Sequence, residues 1–257
     1  MKIVSVPRIN ALGKSGPEKM AKAVLGELGI KDALEIKVGN EDIASDEKDI
    51  YLESKKIFEK DERACFIGGD HSISYPIFKA FSEENEKPFL IVFDAHADCM
   101  PVMKEPTHEE FLRGLIEGSF VEGENVILIG ARKIESEEGR FLKEKGVKVF
   151  GEVYDLEAVA DYVTERALGR DIYVSVDLDV LDSAFAPGVN CSEPNGLLPK
   201  ELFYLLKRVF AVKGVRCLDV VEVCVDKDER YDFRTVKVAA KIVGEFCKKD
   251  KYIKKKR

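Results

Sequence analysis

The sequence LIVFDAHADCM, from Leu90 to Met100, begins as a buried strand and then presents three ionisable side chains. After the apolar run, Asp94, His96 and Asp98 occupy every second position. Side chains of an extended chain alternate between two faces, so these three groups can lie on one face. Carboxylates that are crowded in a partly buried cleft repel one another, and keeping them ionised is costly unless cations compensate. The pattern therefore predicts a metal-binding site where this strand ends.

The rest of the chain alternates short β-rich runs with segments of helical period. The eight β-rich runs read KIVSV, LEIKV, ACFIG, FLIVF, VILIG, VKVF, IYVSV and VRCLDVVEV. Helical segments include PEKMAKAVLGEL, SYPIFKAFSEE, THEEFLRGLIEG, DLEAVADYVTERAL and PKELFYLLKRVF, and a last helix is predicted from about Thr235 to Lys248. Central runs that are apolar without alternation are typical of parallel strands buried on both faces. This order indicates a single α/β domain over residues 1–248, with helices on both sides of a mainly parallel sheet, and a basic tail over 249–257.

Composition argues against several classes of protein. The chain has 257 residues, of which 45% are hydrophobic and 35% charged, as in a soluble globular protein. Its net charge of −7 argues against nucleic-acid binding, which usually leaves a basic footprint. No apolar run is long enough to cross a bilayer, and no secretory signal precedes Pro7. The six cysteines are scattered without a CxxC spacing, so we expect a cytoplasmic protein with reduced thiols.

Reactive residues collect at the ends of four predicted strands, where ligands bind in an open α/β sheet. They are Gly68, Gly69, Asp70 and His71 after ACFI; Asp94, His96 and Asp98 after LIVF; Asp177, Asp179 and Asp182 after IYVSV; and Asp219 and Glu222 in VRCLDVVEV. All three histidines of the chain, His71, His96 and His108, lie in or just after these segments. This coincidence with the aspartates favours a metal site over a set of unrelated packed or surface residues.

Some of these residues have simpler interpretations. Asp70 can cap the helix that follows it, Asp182 can turn the chain after its strand, and Asp219 is predicted to be structural. For Glu222 the residues alone leave a structural and a functional role equally open. His71 has no capping role, and we predict that it binds metal.

The predicted ligands are carboxylates and imidazoles, without cysteine. This set favours Mn²⁺ over structural Zn²⁺ and leaves Fe²⁺, Co²⁺ and catalytic Zn²⁺ open. With so many acidic groups, two ions compensate the charge better than one. Two ions roughly 3.5–4 Å apart would hold and activate a bridging water for hydrolysis.

The motifs, in their order along the chain, resemble those of the ureohydrolase (arginase/agmatinase) family, and most of all agmatinases. They read GGDHS (68–72), DAHAD (94–98), THEEFLRGLIE (107–117), SVDLDVLDSAFAPG (175–188) and DVVEV (219–223), while GARKIESEE (130–138) is similar to the family's GIR…E strand end. The likeness extends from about Gly16 to the last helix. It implies a three-layer α/β/α sandwich with an eight-stranded parallel sheet, a binuclear manganese site and a homo-oligomer of three or six subunits.

Carried over by motif position, the resemblance implies two overlapping sets of metal ligands. His71, Asp94, Asp98 and Asp177 would bind one ion, and Asp94, His96, Asp177 and Asp179 would bind the other. His108 stands where the family keeps a proton-shuttling histidine. Glu222 stands where a glutamate binds the guanidinium of the substrate.

This resemblance predicts the hydrolysis of a small guanidino compound. A metal-bridging hydroxide would attack the guanidinium carbon, which Glu222 would fix through two parallel hydrogen bonds. Asp98 would pass a proton to the leaving amine, and His108 would relay protons from solvent. We expect agmatine to be cleaved to putrescine and urea, a step of polyamine biosynthesis.

Three segments depart from the family pattern and keep other substrates open. Cys99 and Met100 follow DAHAD where arginases have polar residues, which weakens an arginase assignment. The loop PGVNCSEPNGL (187–197) stands in place of PGTGTPEPGGL, and EVCVDKD (222–228) lacks the usual proline after EV. The alternative substrates are guanidinobutyrate, formimidoylglutamate and arginine.

Two other classes of function also stay open. A two-metal phosphoesterase would use Asp and His clusters too, but it needs several Arg or Lys residues, and only Arg132 stands near a strand end. A non-catalytic metal-binding homologue would act through partners. His108 and Glu222 count against it, since neither is needed to hold metal.

Overall fold

The fold is built on one sheet of eight strands. The computed structural model describes residues 1–10, 15–60 and 63–254, with side chains up to residue 248. Within this part of the chain the strands are β1 (Lys2–Val6), β2 (Leu34–Glu35), β3 (Ala64–Gly68), β4 (Pro88–Phe93), β5 (Val126–Ile129), β6 (Lys148–Phe150), β7 (Asp171–Asp177) and β8 (Val215–Val221). Their order is β2-β1-β3-β8-β7-β4-β5-β6, and every neighbouring pair is parallel. The predicted eight-stranded parallel sheet is confirmed.

Helices cover both faces of this sheet. In the described residues they are α1 (Met20–Leu28), α2 (Ile43–Phe58), α3 (Ser74–Glu83), α4 (Phe111–Glu117), α5 (Ser136–Lys145), α6 (Leu156–Arg166), α7 (Pro199–Ala211), α8 (Val225–Asp228) and α9 (Arg234–Lys254). One apolar cluster packs the sheet against α1, α6, α7 and α9, and a second packs it against α2, α3, α4 and α5. Along β4, Phe89, Ile91 and Phe93 enter the first cluster while Leu90 and Val92 enter the second. Both faces of the strand are therefore buried, and the three-layer sandwich is confirmed.

The strand order explains why reactive residues from distant parts of the sequence meet. β3, β8, β7 and β4 are consecutive neighbours in the middle of the sheet. They are also the four strands whose ends carry the aspartates, histidines and glutamate selected from the sequence. Because all four run in the same direction, their carboxyl ends lie along one edge.

Two element boundaries differ from those predicted. Of the run LEIKV, only Leu34–Glu35 forms a strand, because β2 is an exposed edge strand that pairs with β1 at two positions. The backbone of α9 continues to Lys254, beyond the predicted end at Lys248. None of the helices in the described residues is both long enough and apolar enough to cross a membrane.

The helix predicted in THEEFLRGLIEG also begins later than expected. It starts at Phe111, because residues 108–110 form a turn. In this turn the carboxylate of Glu110 accepts hydrogen bonds from the amide of Thr107 at 3.0 Å and from its hydroxyl at 2.5 Å. The turn holds His108 near the carboxyl edge of the sheet.

Gly69 lets the ends of β1, β3 and β8 approach one another closely. Its amide donates to the carbonyl of Val6 at 3.0 Å, and the next amide, of Asp70, donates to the carbonyl of Arg8 at 3.2 Å. The carbonyl of Gly69 accepts the amide of Glu222 at 3.0 Å. A Cβ atom at position 69 would lie 1.7 Å from the carbonyl oxygen of Arg8, so only glycine fits here.

We predict that Gly69→Ala lowers the free energy of unfolding by about 1–3 kcal/mol or more, since the added methyl overlaps the backbone of Arg8. Gly26→Ala is the matched control. This residue lies inside α1, where an added Cβ would meet no atom within 4 Å, and the exchange should stabilise the helix by about 0.5–1 kcal/mol. Urea unfolding measures both changes, and equal midpoints for the two variants would contradict the prediction.

Candidate metal centre

The ligand candidates leave the sheet through short turns. β4 ends before Asp94, and Asp98 has a left-handed backbone with a φ of 48°, so DAHAD is not the extended run that its spacing predicted. The Oδ1 atom of Asp94 accepts the amide of His96 at 2.7 Å, which folds the segment. At the end of β7, Asp177 accepts the amide of Asp179 in the same way at 2.8 Å. The side chains converge in spite of this departure, because each turn points its carboxylates at the neighbouring strand end.

The side chains form two groups of potential ligand atoms, and Asp94 belongs to both. His71 Nδ1 lies 2.9 Å from Asp94 Oδ2 and 3.5 Å from Asp177 Oδ2. In the other group, His96 Nδ1 lies 2.8 Å from Asp179 Oδ2 and 3.5 Å from Asp94 Oδ1. The two oxygens of Asp94 therefore face two different histidines.

Asp98 completes the cluster, with its Oδ2 atom 3.0 Å from His71 Nδ1. The structure thus brings together all six residues that were predicted to bind metal: His71, Asp94, His96, Asp98, Asp177 and Asp179. Five of them are buried, and the side chain of His96 is 23% exposed. The more exposed histidine marks the side from which the cluster opens to solvent.

The hydrogen bonds of His71 show that a cation fits between its ring and the carboxylates. Its Nε2 atom lies 2.8 Å from the hydroxyl of Ser175, which itself donates to Asp219 Oδ1 at 2.5 Å. The hydroxyl therefore accepts from Nε2–H, and Nδ1 faces the carboxylates of Asp94 and Asp98, which outweigh the effect of burial and raise the pKa of His71 well above its usual value. The buried atoms His71 Nδ1 and Asp94 Oδ2 lie 2.9 Å apart, and neither has a hydrogen-bond partner outside the cluster among the described residues. Lone pairs that face one another in this way need a proton or a metal ion between them.

The same side chains hold protons strongly. Burial, together with the charge of Asp94, raises the pKa of Asp98 to about 8. Burial, followed by the charges of Asp179 and Asp94, raises the pKa of Asp177 well above its usual value. Burial alone would lower the pKa of His96, but the two neighbouring carboxylates, Asp179 and Asp94, outweigh it and raise that pKa to about 12. Divalent cations relieve the same repulsion, so their binding would displace these protons.

Asp219 supports the cluster from within the sheet. Its fully buried carboxylate accepts hydrogen bonds from the hydroxyls of Ser175, Tyr173 and Ser74 at 2.5, 2.5 and 2.6 Å. Through Ser175 it orients the ring of His71. The structural role predicted for Asp219 is therefore correct, and the residue that it supports is His71, a metal-ligand candidate. In the sequence, this contact was indicated only by the two hydroxyl side chains at alternate positions of the apolar run IYVSV.

Glu222 and His108 lie beside the ligand groups. Glu222 follows β8 with a φ of 70°, a backbone conformation that is uncommon outside glycine. Its Oε1 atom accepts the amide of His71 at 2.9 Å and lies 3.5 Å from His108 Nδ1. Burial, followed by the charge of Asp70, raises the pKa of Glu222 to about 8. The two side chains face the ligands, and neither belongs to the two groups found in the described residues.

A cavity of about 240 Å³ gives access to these side chains. Besides the residues already described, it is lined by Met100, Glu109, Lys133, Glu135, Glu138 and Cys191. Of these, Met100 was recognised from the sequence as a departure from the family pattern, and Cys191 belongs to the departing loop 187–197. Glu109 lies in a turn, Lys133 and Glu135 precede α5, and Glu138 lies in its first turn. Their only signal in the sequence was their presence within the segments THEEF and GARKIESEE.

Two aspartates that were assigned to local structure do have that role. Asp70 accepts hydrogen bonds from the amide and the hydroxyl of Ser72 and starts the 3₁₀ turn that carries His71, a metal-ligand candidate. Asp182 accepts the amides of Ala184 at 2.9 Å and Asn195 at 2.7 Å. Backbone hydrogen bonds of this kind lower the pKa of Asp182. Both predictions are confirmed.

We predict that Asp177→Asn lowers the affinity for Mn²⁺ more than about tenfold, because it removes one negative charge from the centre of the cluster. Asp182→Asn is the matched control, since it makes the same change in a residue that only supports a turn, and it should keep its manganese. Elemental analysis after dialysis against dilute Mn²⁺ measures both. Unchanged occupancy in Asp177→Asn would refute this ligand assignment.

Comparisons with known proteins agree with this geometry. The model of the Arginase family matches residues 9–248. The chain is 33% identical over 255 residues to mitochondrial arginase 1 of Arabidopsis thaliana, which covers 93% of the chain and 70% of the relative. It is 31% identical over 226 residues to the agmatinase of Bacillus subtilis (86% of the chain, 75% of the relative). It is also 31% identical over 238 residues to the formimidoylglutamase of Halalkalibacterium halodurans (87% and 73%).

Among solved structures, proclavaminate amidino hydrolase from Streptomyces clavuligerus is similar with a TM-score of 0.87. The match covers 95% of this chain and 89% of that one at 23% sequence identity, so this likeness concerns the fold alone. The family model spans nearly the whole chain, and relatives above 30% identity carry names from the same group of enzymes. The chain belongs to the arginase family, the ureohydrolases.

Proposed function

We propose that this chain hydrolyses a small guanidino compound with the help of two Mn²⁺ ions, and that its substrate is agmatine, cleaved to putrescine and urea. The observation that carries the proposal is the position of Glu222, whose carboxylate is held beside four buried aspartates and two histidines that could bind metal. Relatives named arginase, agmatinase and formimidoylglutamase support the reaction class and not one substrate.

The six clustered side chains would hold the two ions. His71, Asp94, Asp98 and Asp177 would bind one, and Asp94, His96, Asp177 and Asp179 would bind the other. Four ionised carboxylates and two neutral imidazoles balance the charge of two divalent cations, which supports a pair of ions over a single one. When bound, the pair would lower the pKa of a water molecule and so supply a strong nucleophile at neutral pH.

Glu222 would hold the planar guanidinium through two parallel hydrogen bonds to its carboxylate. One carboxylate oxygen already accepts the amide of His71, so the group is fixed before the substrate arrives. The pKa of about 8 that burial and Asp70 give to Glu222 would fall beside the bound cation, which favours the ionised form. Such fixed orientation next to the metal ligands lowers the entropic part of the barrier.

Asp98 and His108 would transfer protons. Asp98 contacts the ring of His71 and also lines the cavity, so it can take up a proton and give it to the leaving amine. The side chain of His108 is buried, and its Nε2 atom lies 3.6 Å from Oε1 of Glu109, whose side chain is 48% exposed. This sequence of groups supports a relay between the reacting centre and bulk water.

Charges around the mouth of the cavity support a substrate with a second positive group. Carboxylates of Glu109, Glu135 and Glu193 lie there, and the ammonium of Lys133 is paired with Glu135 at 3.1 Å. A mouth with a negative balance attracts the cationic tail of agmatine more than the anionic tails of guanidinobutyrate and formimidoylglutamate. Arginine, which carries both charges on its tail, is intermediate.

Arg132 gives no support to the phosphoesterase alternative, because its guanidinium donates to backbone carbonyls. An assembly of three or six subunits and a cytoplasmic location stay predictions from the sequence.

We predict that Glu222→Gln keeps its manganese and lowers kcat/KM for agmatine by about 10- to 100-fold. The expected loss corresponds to about 1.5–3 kcal/mol, the usual contribution of a hydrogen bond to a charged group. The amide oxygen of glutamine can still accept the amide of His71, so the fold should be unchanged. Glu109→Gln, which changes a charge at the mouth, is the control and should affect kcat/KM less. Urea production by Glu222→Gln at the unmodified rate would rule out the role of this residue.

The substrate itself is tested by a panel on Mn²⁺-loaded protein. Agmatine, arginine, guanidinobutyrate and formimidoylglutamate are assayed for urea or formamide, and we expect the highest kcat/KM with agmatine. A preference for another member of the panel would overturn agmatine as the proposed substrate and would still support the proposed reaction class. Phosphate release from p-nitrophenyl phosphate, without activity on any of the four compounds, would overturn the proposal in favour of a phosphoesterase.

A further inference from the structure

The backbone of Arg132 is tied to the DAHAD segment. The amides of Arg132 and Lys133 both donate to the carbonyl oxygen of Ala95, at 2.9 and 3.0 Å. Gly130, with a φ of 95°, turns the chain after β5. The side chain of Arg132 is thereby placed between the turn that follows β7 and the segment that precedes α7.

The guanidinium of Arg132 is surrounded by backbone carbonyl oxygens. It donates to those of Gly130, Asp179, Val180, Leu181, Glu193 and Pro194, at distances from 2.8 to 3.3 Å. A guanidinium has five N–H groups, so these acceptors share its donors. Carbonyls at the end of a short helical turn lack partners within the turn, and here one side chain donates to those of Asp179, Val180 and Leu181.

We propose that Arg132 is a positioning residue for both the metal centre and the mouth of the cavity, an inference that rests on the proposed function. One segment bound by its guanidinium carries Asp179, whose Oδ2 atom is 2.8 Å from His96 Nδ1. The other carries Glu193, whose Oε1 atom is 3.8 Å from His96 Nε2. The carboxylates on both sides of the His96 ring are therefore held through their backbones by a single guanidinium.

A lysine at this position could not hold both segments. The guanidinium is planar and directs its five donors in fixed directions, whereas an ammonium has three donors around one nitrogen atom. Without the fork, several carbonyl oxygens would lose their partners, and the two segments would have to move to find others. The proposal thus concerns the shape of the side chain as well as its charge.

The test compares Arg132→Lys and Arg132→Met with Arg208→Met, a control that removes a guanidinium bound to Asp161 and Tyr204 far from the cluster. Mn²⁺-loaded proteins are titrated with a chelator, and amide hydrogen exchange is followed over residues 179–197. We expect both Arg132 variants to hold one of the two ions about 10- to 100-fold more weakly. The amides of Asp182 and Leu197, which pair across this region, should exchange faster.

A purely structural role would lower the Tm of both variants and leave Mn²⁺ retention at 25 °C unchanged, which would overturn the proposal. Unmodified Mn²⁺ retention in Arg132→Lys would refute the requirement for a planar fork, and this variant decides the matter if Arg132→Met does not fold. Neither measurement uses a substrate. Failure of the unmodified protein to cleave agmatine would therefore count against the proposed function and leave the positioning role to be judged on metal retention and exchange.

Discussion

The repulsion among four buried aspartates sets the conditions for the rest of this structure. Burial and the neighbouring carboxylates together raise the pKa of Asp177 and Asp98, so the ionised cluster is unfavourable by itself. The two apolar layers that pack on the sheet supply the free energy that keeps the strand ends together despite this cost. Clusters of titratable groups with strongly shifted pKa values are typical of functional sites. Four ionised carboxylates would match the charge of two divalent cations.

Backbone amides connect the ligands across the four central strands. Asp179, which follows β7, accepts the amide of Ala95, which follows β4, at 3.0 Å. Glu222, at the end of β8, accepts the amide of His71, which follows β3. The carboxylates of Asp179 and Glu222 therefore also hold the neighbouring strand ends in place. Arg132 extends the same principle to the next strand, since its amide and its side chain bind the segments after β4 and β7. The candidate metal centre is consequently held together by hydrogen bonds of both its side chains and its backbone.

Much of the fold and most of the cluster could be predicted from the sequence, because both depend on short local patterns. Apolar runs without alternation indicate buried parallel strands, and the motif DAHAD indicates ligands at a strand end. The left-handed backbone of Asp98 was missed, since it results from the turn built by Asp94. A structural role was predicted for Asp219, but the contacts that Asp219 and Arg132 make were missed for another reason. Asp219 accepts a hydrogen bond from a hydroxyl 44 positions away in the sequence. Arg132 binds backbone carbonyls up to 62 positions away, and because every residue has a carbonyl, no sequence pattern indicates which ones are bound.

The pairing of β4 with β7 brings the two central carboxylates, those of Asp94 and Asp177, close together. Phe93 at the end of β4 stands opposite Val176, on strands about 4.8 Å apart, so the turn that begins at Asp94 starts beside Asp177. The register of the sheet therefore sets where both carboxylates start, and the short turn after β4 completes the placement of Asp94. A slip of one residue would turn one carboxylate into an apolar layer. Loops around the mouth can therefore change in length or in charge without altering the register that brings Asp94 beside Asp177.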